Sequence, residues 1–411
     1  MKNSNTKVEL LAPVGDMEKL KTALHFGADA VYFAGKQYGL RAMATNFTEE
    51  QMIEAVTYTH SKGKKAYVTI NVFARNNDFD NLKQYLSFLQ QIKVDAVIVS
   101  DLGLFNFIRQ NAPSLEIHIS TQANTTNKYS AKAYQELGAS RVVLARELSI
   151  DEIKQISDFN PTLELECFIH GAMCISYSGR CLLSNYLTGR DSNHGECVQA
   201  CRWKYYLVEE SRLDQPFELQ EDDKGAYILN SKDMCLIDYI DKIIEAGVNS
   251  FKIEGRMKTA LYVATVARTY RKAIDDYFES PEKYQANMPW YLDQISNCTY
   301  RQFTTGFFYG KPSEEAQIYD SNTYLREYTY LGIVGEQNEE GLYQIEQRNK
   351  FSVGEEIEVM KPNGENVVVT VKAIQDEKGA EMESAPHPQQ ILYIDLGQPL
   401  ERYDILRRKE E

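Results

Sequence analysis

Short apolar runs rich in β-branched and aromatic residues recur along the first two-thirds of the chain, and a helical periodicity follows each one. The runs cover 8–14, 30–35, 65–71, 96–101, 116–122, 141–146, 165–171 and 250–256. The helical segments cover 16–26, 49–62, 79–92, 103–110, 128–137, 150–157, 232–246 and 258–278. Alternating strands and helices form right-handed βαβ units and a parallel sheet. Eight such strands predict an α/β fold, a closed (β/α)8 TIM-like barrel over residues 1–278.

A recurring glycine supports this prediction. Gly27, Gly138 and Gly247 each end a helical segment just before the next predicted strand. Glycine is the usual residue in the left-handed conformation that stops a helix. The repeated stop is typical of a chain built from similar helix–strand units.

The pattern changes after the barrel. Residues 279–329 lack a clear period and form an irregular connecting segment. Alternating apolar and polar positions then appear over 330–337, 342–347, 355–362, 366–376 and 390–396, with a Pro-Asn-Gly hairpin signal at 362–364. Residues 330–411 are therefore predicted to form a small C-terminal antiparallel β-barrel.

Residues 172–248 form a long insertion between the seventh and eighth predicted strands, and long insertions in compact domains usually carry function. It holds Cys174, Cys181, Cys197, Cys201 and Cys235, five of the seven cysteines in the chain. Thiolates select zinc, copper(I) or iron–sulfur clusters. The wide spacing favours a four-iron four-sulfur cluster over a zinc knuckle, with buried free thiols as the third interpretation.

The other two cysteines have a different context. Cys167 lies within the seventh predicted strand, and Cys298 is remote from the insertion. Both are predicted to be packing residues.

Polar residues cluster at the carboxyl ends of the predicted strands, the ends that carry barrel active sites. They are Asn71, Asp101, Gln122, Arg146, Glu147, His170, Lys252, Glu254 and Arg256. Arg146, Lys252 and Arg256 are suited to bind a carboxylate or phosphate. The structural alternative is that Arg146–Glu147 and Lys252–Glu254 are ion pairs of the rim. His170 is either an acid–base group or an ordinary structural histidine.

Composition narrows the function classes. The formal net charge is −14, which disfavours non-specific coating of nucleic acid. A local basic stripe remains possible over 252–272, which holds Lys252, Arg256, Lys258, Arg268, Arg271 and Lys272 against one acid, Glu254. Arg268, Arg271 and Lys272 share a face of the helix at 258–278, although a solvated helix surface explains them equally well. The sequence contains no HExxH, GxSxG or P-loop motif.

Location and redox state follow from what the sequence lacks. We expect a cytoplasmic protein with no membrane segment, because no signal peptide is visible and no apolar run approaches the roughly 18–20 residues that span a bilayer. Thiols are kept reduced in that compartment, which favours metal ligation over structural disulfides.

The blocks ELLAPVGDMEKLKTALHFGADAVYFAG, ECFIHGAMCISYSGRC and SFKIEGRMK, with the GECVQAC and NSKDMC segments, resemble the collagenase-like peptidases, family 32 of the unclassified peptidases. The resemblance runs from about residue 8 to 278. Length and the C-terminal barrel resemble those members that hydroxylate tRNA uridine with prephenate. Other members hydroxylate a ribosomal RNA cytidine or a quinone precursor.

The resemblance implies a 4Fe-4S cluster, prephenate as cosubstrate, and tRNA as the substrate whose wobble uridine becomes 5-hydroxyuridine. It implies Cys174, Cys181, Cys197 and Cys235 as cluster ligands, with Cys201 as a fifth candidate.

The remaining site residues are assigned by combining the resemblance with the strand-end pattern. His170, Arg146 and Glu254 are the predicted catalytic residues, and the predicted substrate-binding residues are Lys252, Arg256, Arg41, Arg180, Gln122 and Asn71. The aromatics Tyr177, Tyr186 and Trp203 near the cysteines are candidates for stacking on a flipped base, with core packing as the more common alternative.

The alternatives are a collagenase-like peptidase, a module that binds tRNA or a partner, and another iron–sulfur hydroxylase of the family. An electron donor or a paralogous subunit is a possible further partner.

Overall fold

The computed structural model describes residues 7–39, 46–174, 176–203, 232–298, 302–310 and 327–410. These residues form two compact units, one built from 1–20, 29–257 and 301–324 and the other from 21–28, 258–300 and 325–411. The first unit contains the barrel, and the second contains the C-terminal sheet.

Eight parallel strands close into the predicted barrel, because β9 pairs with both β1 and β7. The first unit also contains two further strands: β8, which pairs with the end of β7, and β10, which pairs with β8. The strands are β1 (Glu9–Pro13), β2 (Ala30–Phe33), β3 (Lys65–Ile70), β4 (Ala96–Val99), β5 (Glu116–Ile119), β6 (Arg141–Val143), β7 (Glu164–Ala172), β8 (Asp233–Cys235), β9 (Ser250–Ile253) and β10 (Phe303–Thr304).

Helices alternate with the barrel strands from β1 to β7 as the periodicity predicts, whereas the last three helices follow one another in the second unit. The helices are α1 (Met17–His25), α2 (Glu49–Ser61), α3 (Leu82–Gln91), α4 (Leu102–Asn111), α5 (Lys128–Leu137), α6 (Ile150–Phe159), α7 (Leu183–Thr188), α8 (Ile240–Glu245), α9 (Ala260–Glu279), α10 (Pro281–Ala286) and α11 (Met288–Ser296). Among the described residues, none of these helices has the length and apolarity needed to cross a membrane.

Two segments differ from the prediction. The helix expected over 232–246 begins only at Ile240, because residues 233–235 form strand β8, antiparallel to the extended end of β7. The segment expected to be irregular over 279–329 contains α10 and α11, which begin with Ser280 and Asn287 as N-terminal flanking residues. Proline in the first turn of each suits a helix start, since its missing N–H has no partner there in any case.

The C-terminal part of the second unit is an antiparallel sheet around one apolar core that includes Leu331, Ile345, Phe351 and Leu406. The described strands pair as an open row, so the sheet is a half-barrel. Its strands are β11 (Tyr328–Gln337), β12 (Tyr343–Gln347), β13 (Glu356–Met360), β14 (Asn366–Thr370), β15 (Ala373–Gln375), β16 (Glu381–Met382), β17 (Ile391–Asp395) and β18 (Ile405–Lys409). β18 was not predicted, although it lies at the centre of the sheet.

Candidate functional site

Three thiols of the insertion lie near the barrel mouth, the end formed by the carboxyl ends of the barrel strands, close enough to influence one another's charge. Burial raises the pKa of Cys174, the N–H of Ser176 and the Arg146 guanidinium act against that rise, and the charges of Cys181 and Cys197 add to it. These three cysteines are therefore within electrostatic reach of one another. We call Cys174, Cys181 and Cys197 the thiol centre.

Each sulfur of the thiol centre accepts a backbone N–H from the residue two positions later in the chain. The N–H of Leu183 donates to Cys181 Sγ at 3.3 Å, and that of Gln199 donates to Cys197 Sγ at 3.4 Å. The N–H of Ser176 bonds to Cys174 in the same way. At Cys174 this bond acts against the rise in pKa that burial causes.

Polar side chains of the insertion hold the loops that carry these sulfurs. Asn193 accepts the Cys181 N–H at 3.2 Å and donates to the Cys181 carbonyl at 2.8 Å. Ser184, which is buried, donates to the Arg190 carbonyl at 2.8 Å and accepts the Val198 N–H at 3.2 Å. Neither Asn193 nor Ser184 was singled out from the sequence, because each acts through partners distant along the chain.

The insertion is attached to the mouth by the turn at 176–180, which we call the clamp turn. Glu147, just after β6, accepts from both the N–H and the Oγ of Ser178, at 2.5 and 2.6 Å. Arg180 Nε donates to the Gln122 carbonyl at 2.9 Å, and Asn124 Nδ2 donates to the Tyr177 carbonyl at 3.0 Å. The cysteine-rich segment therefore lies over the ends of β5 and β6.

The other proposed ligands occupy different environments. Cys235 is buried in β8, with its backbone opposite that of His170 in β7. Opposed residues of an antiparallel pair point to the same face, so His170 and Cys235 share one face of these strands. Cys201 is half-buried in the short turn at 200–202. Cys167 and Cys298 are buried, in agreement with a packing role.

A β-bulge in β7 changes the direction of the side chains at the end of this strand. Phe168 is paired with Lys252 and His170 with Ile253, so Ile169 is an extra residue relative to β9. Bulges re-aim side chains and are frequent beside active sites. Gly171 follows with φ +112°, and a Cβ there would lie 2.5 Å from the Glu254 carbonyl oxygen. The Glu254 N–H donates to the His170 carbonyl at 2.9 Å, which joins the backbones of two predicted catalytic residues.

Lys252 is placed differently from the expectation that it lies at the rim. It is 4% exposed inside β9, and its Nζ lies 2.7 Å from Glu166 Oε1. The Glu166 partner replaces the Lys252–Glu254 pair that the sequence suggested. Arg141 Nη1 also reaches Glu166, at 3.1 Å, and continues the network to Glu9. Two glutamates in an apolar strand, at 164 and 166, were the available sequence signal for such a network.

Full burial acts to raise the pKa of Glu166, but the Lys252 ammonium and the Arg141 guanidinium outweigh it and hold that pKa below its ordinary value. The pair is thus ionised in the barrel interior. Because the Lys252 ammonium is already neutralised by Glu166, it would attract a bound anion only weakly.

Arg146 lies at the mouth as predicted. Its guanidinium stacks on the Phe168 ring at 4.1 Å, and Nη1 donates to the Ala172 carbonyl at 2.8 Å. Its Nε is buried and makes no hydrogen bond within the described part of the chain. This Arg is therefore bonded to a carbonyl and an aromatic face, not to Glu147, and keeps its positive charge uncompensated by those contacts.

The other predicted substrate-binding residues are scattered around the mouth. Arg256 is 5% exposed and donates to Asn46 Oδ1 at 2.6 Å. The Asn71 N–H donates to the Tyr38 carbonyl at 3.1 Å. Arg180 is exposed and lies over the Phe73 ring at 5.0 Å. Arg41 lies outside the described residues.

The basic stripe suggested for the helix at 258–278 is wrong. Arg268 is 1% exposed and donates to the carbonyls of Lys361 and Glu365. Arg271 pairs with Asp275 at 2.8 Å, and Lys272 with an acidic neighbour four residues on. These three cations are paired with carbonyls or carboxylates of their own unit, so they do not form a free basic surface for RNA.

The donor set of the thiol centre fits an iron–sulfur cluster. Three sulfurs within electrostatic reach, each with a backbone N–H donor, are the soft and hydrogen-bonded ligands that such clusters use. Across the described ranges, no three His, Cys, Asp or Glu side chains are already drawn together tightly enough to enclose a single metal ion. The thiol centre thus holds three of the proposed ligands within electrostatic reach, and Cys235 lies on β8, which pairs with β7.

Comparison with known proteins identifies the family to which the chain belongs. Residues 15–318 match Peptidase family U32, and residues 326–407 match the Peptidase family U32 C-terminal domain. The tRNA hydroxylation protein P1 of Bacillus subtilis is 42% identical over 98% of this chain and 95% of its own length. The tRNA hydroxylation protein P of Escherichia coli K12 is 33% identical over 98% of this chain and 97% of its own.

An archaeal relative carries a different name. A Methanocaldococcus jannaschii protein named as an uncharacterized protease is 42% identical over 74% of this chain and 73% of its own length. Matches of this extent, together with the closed barrel and its cysteine-rich insertion, show that the chain belongs to peptidase family U32.

Proposed function

We propose that this protein hydroxylates the wobble uridine of tRNA to 5-hydroxyuridine in the cytoplasm, with prephenate as the source of the oxygen atom. The cluster is a 4Fe-4S centre held by Cys174, Cys181, Cys197 and Cys235, with Cys201 as the alternative fourth ligand. When bound, such a centre supplies one-electron transfer. An electron donor or a paralogous subunit is a further partner in this proposal.

The observation that carries the proposal is the thiol centre at the barrel mouth, with its three N–H···S bonds. Hydrogen bonds to the ligand sulfurs are one of the means by which a protein tunes an iron–sulfur cluster. The names of the Bacillus and Escherichia relatives, which are similar over nearly the whole chain, support RNA as the substrate and hydroxylation as the reaction.

The chain's own residues have distinct tasks. Arg146 is assigned to binding a carboxylate of the cosubstrate, since its contacts among the described residues are a carbonyl and an aromatic ring, not a carboxylate. Arg256 and Arg180 supply further positive charge around the same opening, with Gln122 and Asn71 as neutral contacts. Lys252 is assigned to holding Glu166 rather than substrate. His170 and Glu254, joined through their backbones, are the proposed proton-transfer groups.

A complementation experiment tests this function. A strain lacking the gene receives the wild-type protein, Cys174→Ala/Cys181→Ala, or Cys298→Ala as the matched control, since Cys298 is a buried thiol of the other unit. We expect 5-hydroxyuridine in tRNA to return with the wild type and the control but not with the double variant. Unchanged tRNA nucleosides in the deletion strain, with no second gene of the family present, would exclude the proposal.

The double variant also separates catalysis from delivery. If it restores 5-hydroxyuridine fully, the protein acts as a module that brings tRNA or a partner to another enzyme. Anaerobic iron and sulfide content, measured on the same proteins, shows whether the thiol centre carries the cluster.

Peptidase activity is the second candidate, because the archaeal relative is named as a protease. Cleavage of gelatin or collagen peptides by the homogeneous protein, abolished by one point substitution in the barrel mouth, would establish it. Cleavage that survives every such substitution would point to a contaminating protease.

A further inference from the structure

Glu147 makes an unusual two-point contact with the insertion. Its two carboxylate oxygens accept the N–H and the Oγ of the same residue, Ser178, at 2.5 and 2.6 Å. Ser178 is 3% exposed, so water does not replace these bonds easily. Hydrogen bonds to an ionised acceptor are about twice as strong as neutral ones.

The residue that Glu147 holds has a backbone conformation that serine rarely adopts. Ser178 lies at φ 43° and ψ 34°, in the left-handed region. In that region the Cβ of an L-residue crowds the following carbonyl oxygen, so only glycine enters it without a penalty. The two bonds from Glu147 offset this penalty.

The clamp turn lies between two sulfurs of the thiol centre. Cys174 precedes Ser178 by four residues and Cys181 follows it by three. A change of φ at Ser178 would swing these two arms relative to each other, because both continue directly from the turn. The position of Glu147 after β6 thus fixes the geometry of the insertion relative to the barrel.

We propose that Glu147 is a positioning residue for the thiol centre: its carboxylate holds Ser178 in the left-handed conformation and so brings Cys174 and Cys181 together as metal ligands. The inference rests on the metal-binding part of the proposed function and does not depend on the identity of the RNA substrate. Glu147 touches neither sulfur and has no direct part in the chemistry.

Neighbouring contacts support the turn but do not set its conformation. On either side of Ser178, Arg180 Nε donates to the Gln122 carbonyl and Asn124 Nδ2 donates to the Tyr177 carbonyl. Gly179 lies close to Gln122, where an added Cβ would be 3.0 Å from Nε2. Within the clamp turn as described, Glu147 is the side chain that bonds both the backbone and the hydroxyl of the strained residue.

The chain contains a matched control for this contact. Glu152 accepts the N–H and the Oγ of Ser149 at the start of α6, each at 2.8 Å. The chemistry is the same, but Ser149 has an ordinary extended backbone, with φ −77° and ψ 161°. Removing this carboxylate perturbs a helix cap and leaves the clamp turn in place.

The test measures metal binding to the thiols directly. The full-length protein, without metal and kept anaerobic, is titrated with cadmium, and the cadmium–thiolate charge-transfer absorption reports the number of bound sulfurs and the affinity. The variants are Glu147→Ala, Glu147→Gln, Ser178→Gly, Glu147→Ala/Ser178→Gly and the control Glu152→Ala. Loss of a residue that orients metal ligands typically weakens metal binding roughly 10- to 100-fold.

We expect a loss of that size for Glu147→Ala and a smaller loss for Glu147→Gln, which keeps an acceptor oxygen. Ser178→Gly in the Glu147→Ala background should restore most of the affinity, because glycine needs no help to be left-handed. Glu152→Ala should bind cadmium within about twofold of the wild type. The rescue by glycine distinguishes positioning from a general loss of stability, which a second substitution would deepen.

Two results would overturn the inference. One is wild-type cadmium affinity in Glu147→Ala, and the other is equal weakness of Glu147→Ala with and without Ser178→Gly. If Glu147→Ala does not fold, the comparison of Ser178→Gly with Ser178→Gly/Glu147→Gln replaces it, and a 10-fold difference between those two contradicts the inference. Cadmium binding is independent of tRNA analysis, so failure here and failure of the proposed hydroxylation are separate outcomes.

Discussion

Replacing Lys252 with methionine tests the buried pair at the centre of the barrel. Methionine has a similar length, so the change removes the charge and keeps most of the packing. Glu166, which is 0% exposed, loses the ammonium at 2.7 Å and keeps only Arg141 at 3.1 Å. Breaking a buried pair by removing one partner costs about 3–5 kcal/mol, because the remaining charge is left uncompensated.

The structure sets the expected loss near the lower end of that range. Arg141 remains beside Glu166, but it also pairs with Glu9 at 2.5 Å and Glu164 at 2.7 Å, so its charge is shared among three carboxylates. The Tyr32 ring, 4.3 Å from Lys252 Nζ, loses a cation contact worth about 1 kcal/mol. We expect a total of about 3–4 kcal/mol.

Differential scanning fluorimetry and urea unfolding measure this loss. At roughly 2 °C per kcal/mol for a unit of this size, the midpoint of the barrel transition should fall by about 6–8 °C. The double variant Lys252→Met/Glu166→Gln removes the stranded charge and should recover more than half of the loss. A Lys252→Met midpoint within 1–2 °C of the wild type would refute the reasoning about the pair.

The pH dependence of the stability lost in Lys252→Met is an independent test of the buried pair. The folded-state pKa of Glu166 is depressed, so the stability it contributes is present above its unfolded pKa of about 4.3 and is lost as pH falls through the folded pKa. In Lys252→Met the carboxylate loses that support. The deficit of the variant should therefore shrink towards pH 4–5, where its Glu166 can bind a proton; a deficit that grows on acidification contradicts this.

Three further predictions concern other positions. Gly171→Ala places a Cβ 2.5 Å from the Glu254 carbonyl oxygen at φ +112° and should cost about 2–5 kcal/mol, from backbone strain plus overpacking; in urea unfolding Gly189→Ala, with φ +74° and no atom within 4 Å of its added Cβ, should show the strain alone. Burial acts to raise the pKa of Asp276, but hydrogen bonds from Tyr291 and Asn287 hold it below its usual value. The wild-type unit should therefore lose stability as pH falls below about 4, and in thermal melts Asp276→Asn should remove the share of that loss that comes from Asp276. Arg268→Lys should lower the melting midpoint of the same unit while leaving tRNA affinity in filter binding unchanged, because the guanidinium is buried on backbone carbonyls; a selective loss of tRNA affinity would restore the basic-stripe hypothesis.

The local signals in the sequence were enough to predict the barrel. Apolar runs identified its eight strands, and the glycine stops were confirmed, since Gly27, Gly138 and Gly247 all have positive φ, from 86° to 103°. Each of these signals lies within a few residues of the feature it predicts.

Features that depend on distant partners were missed. Residues 233–235 look like the start of a helix until β7 extends far enough to pair with them. β18 reads as a charged tail, although β11 and β13 pair with it on both sides. Lys252 was assigned to the rim because a strand end cannot be located to one residue from apolar character alone, and its partner Glu166 lies 86 positions away.

The placement of Lys252 changes which charges are available to a substrate. Lys252 lies inside the strand and neutralises Glu166, so its charge is not available to bind an anion in the barrel centre. Arg146, on the other side of the Phe168 ring, keeps its charge. Phe168 lies between the two, 4.1 Å from the Arg146 guanidinium and 5.6 Å from Lys252 Nζ, so the ring separates the structural charge from the one facing the thiol centre. Arg146 also acts to lower the pKa of Cys174, so we expect the same guanidinium to assist both the proposed anion and the proposed metal ligand. Removing it should therefore weaken cosubstrate binding and metal binding together, whereas Lys252→Met/Glu166→Gln should affect neither at a temperature where the barrel is folded.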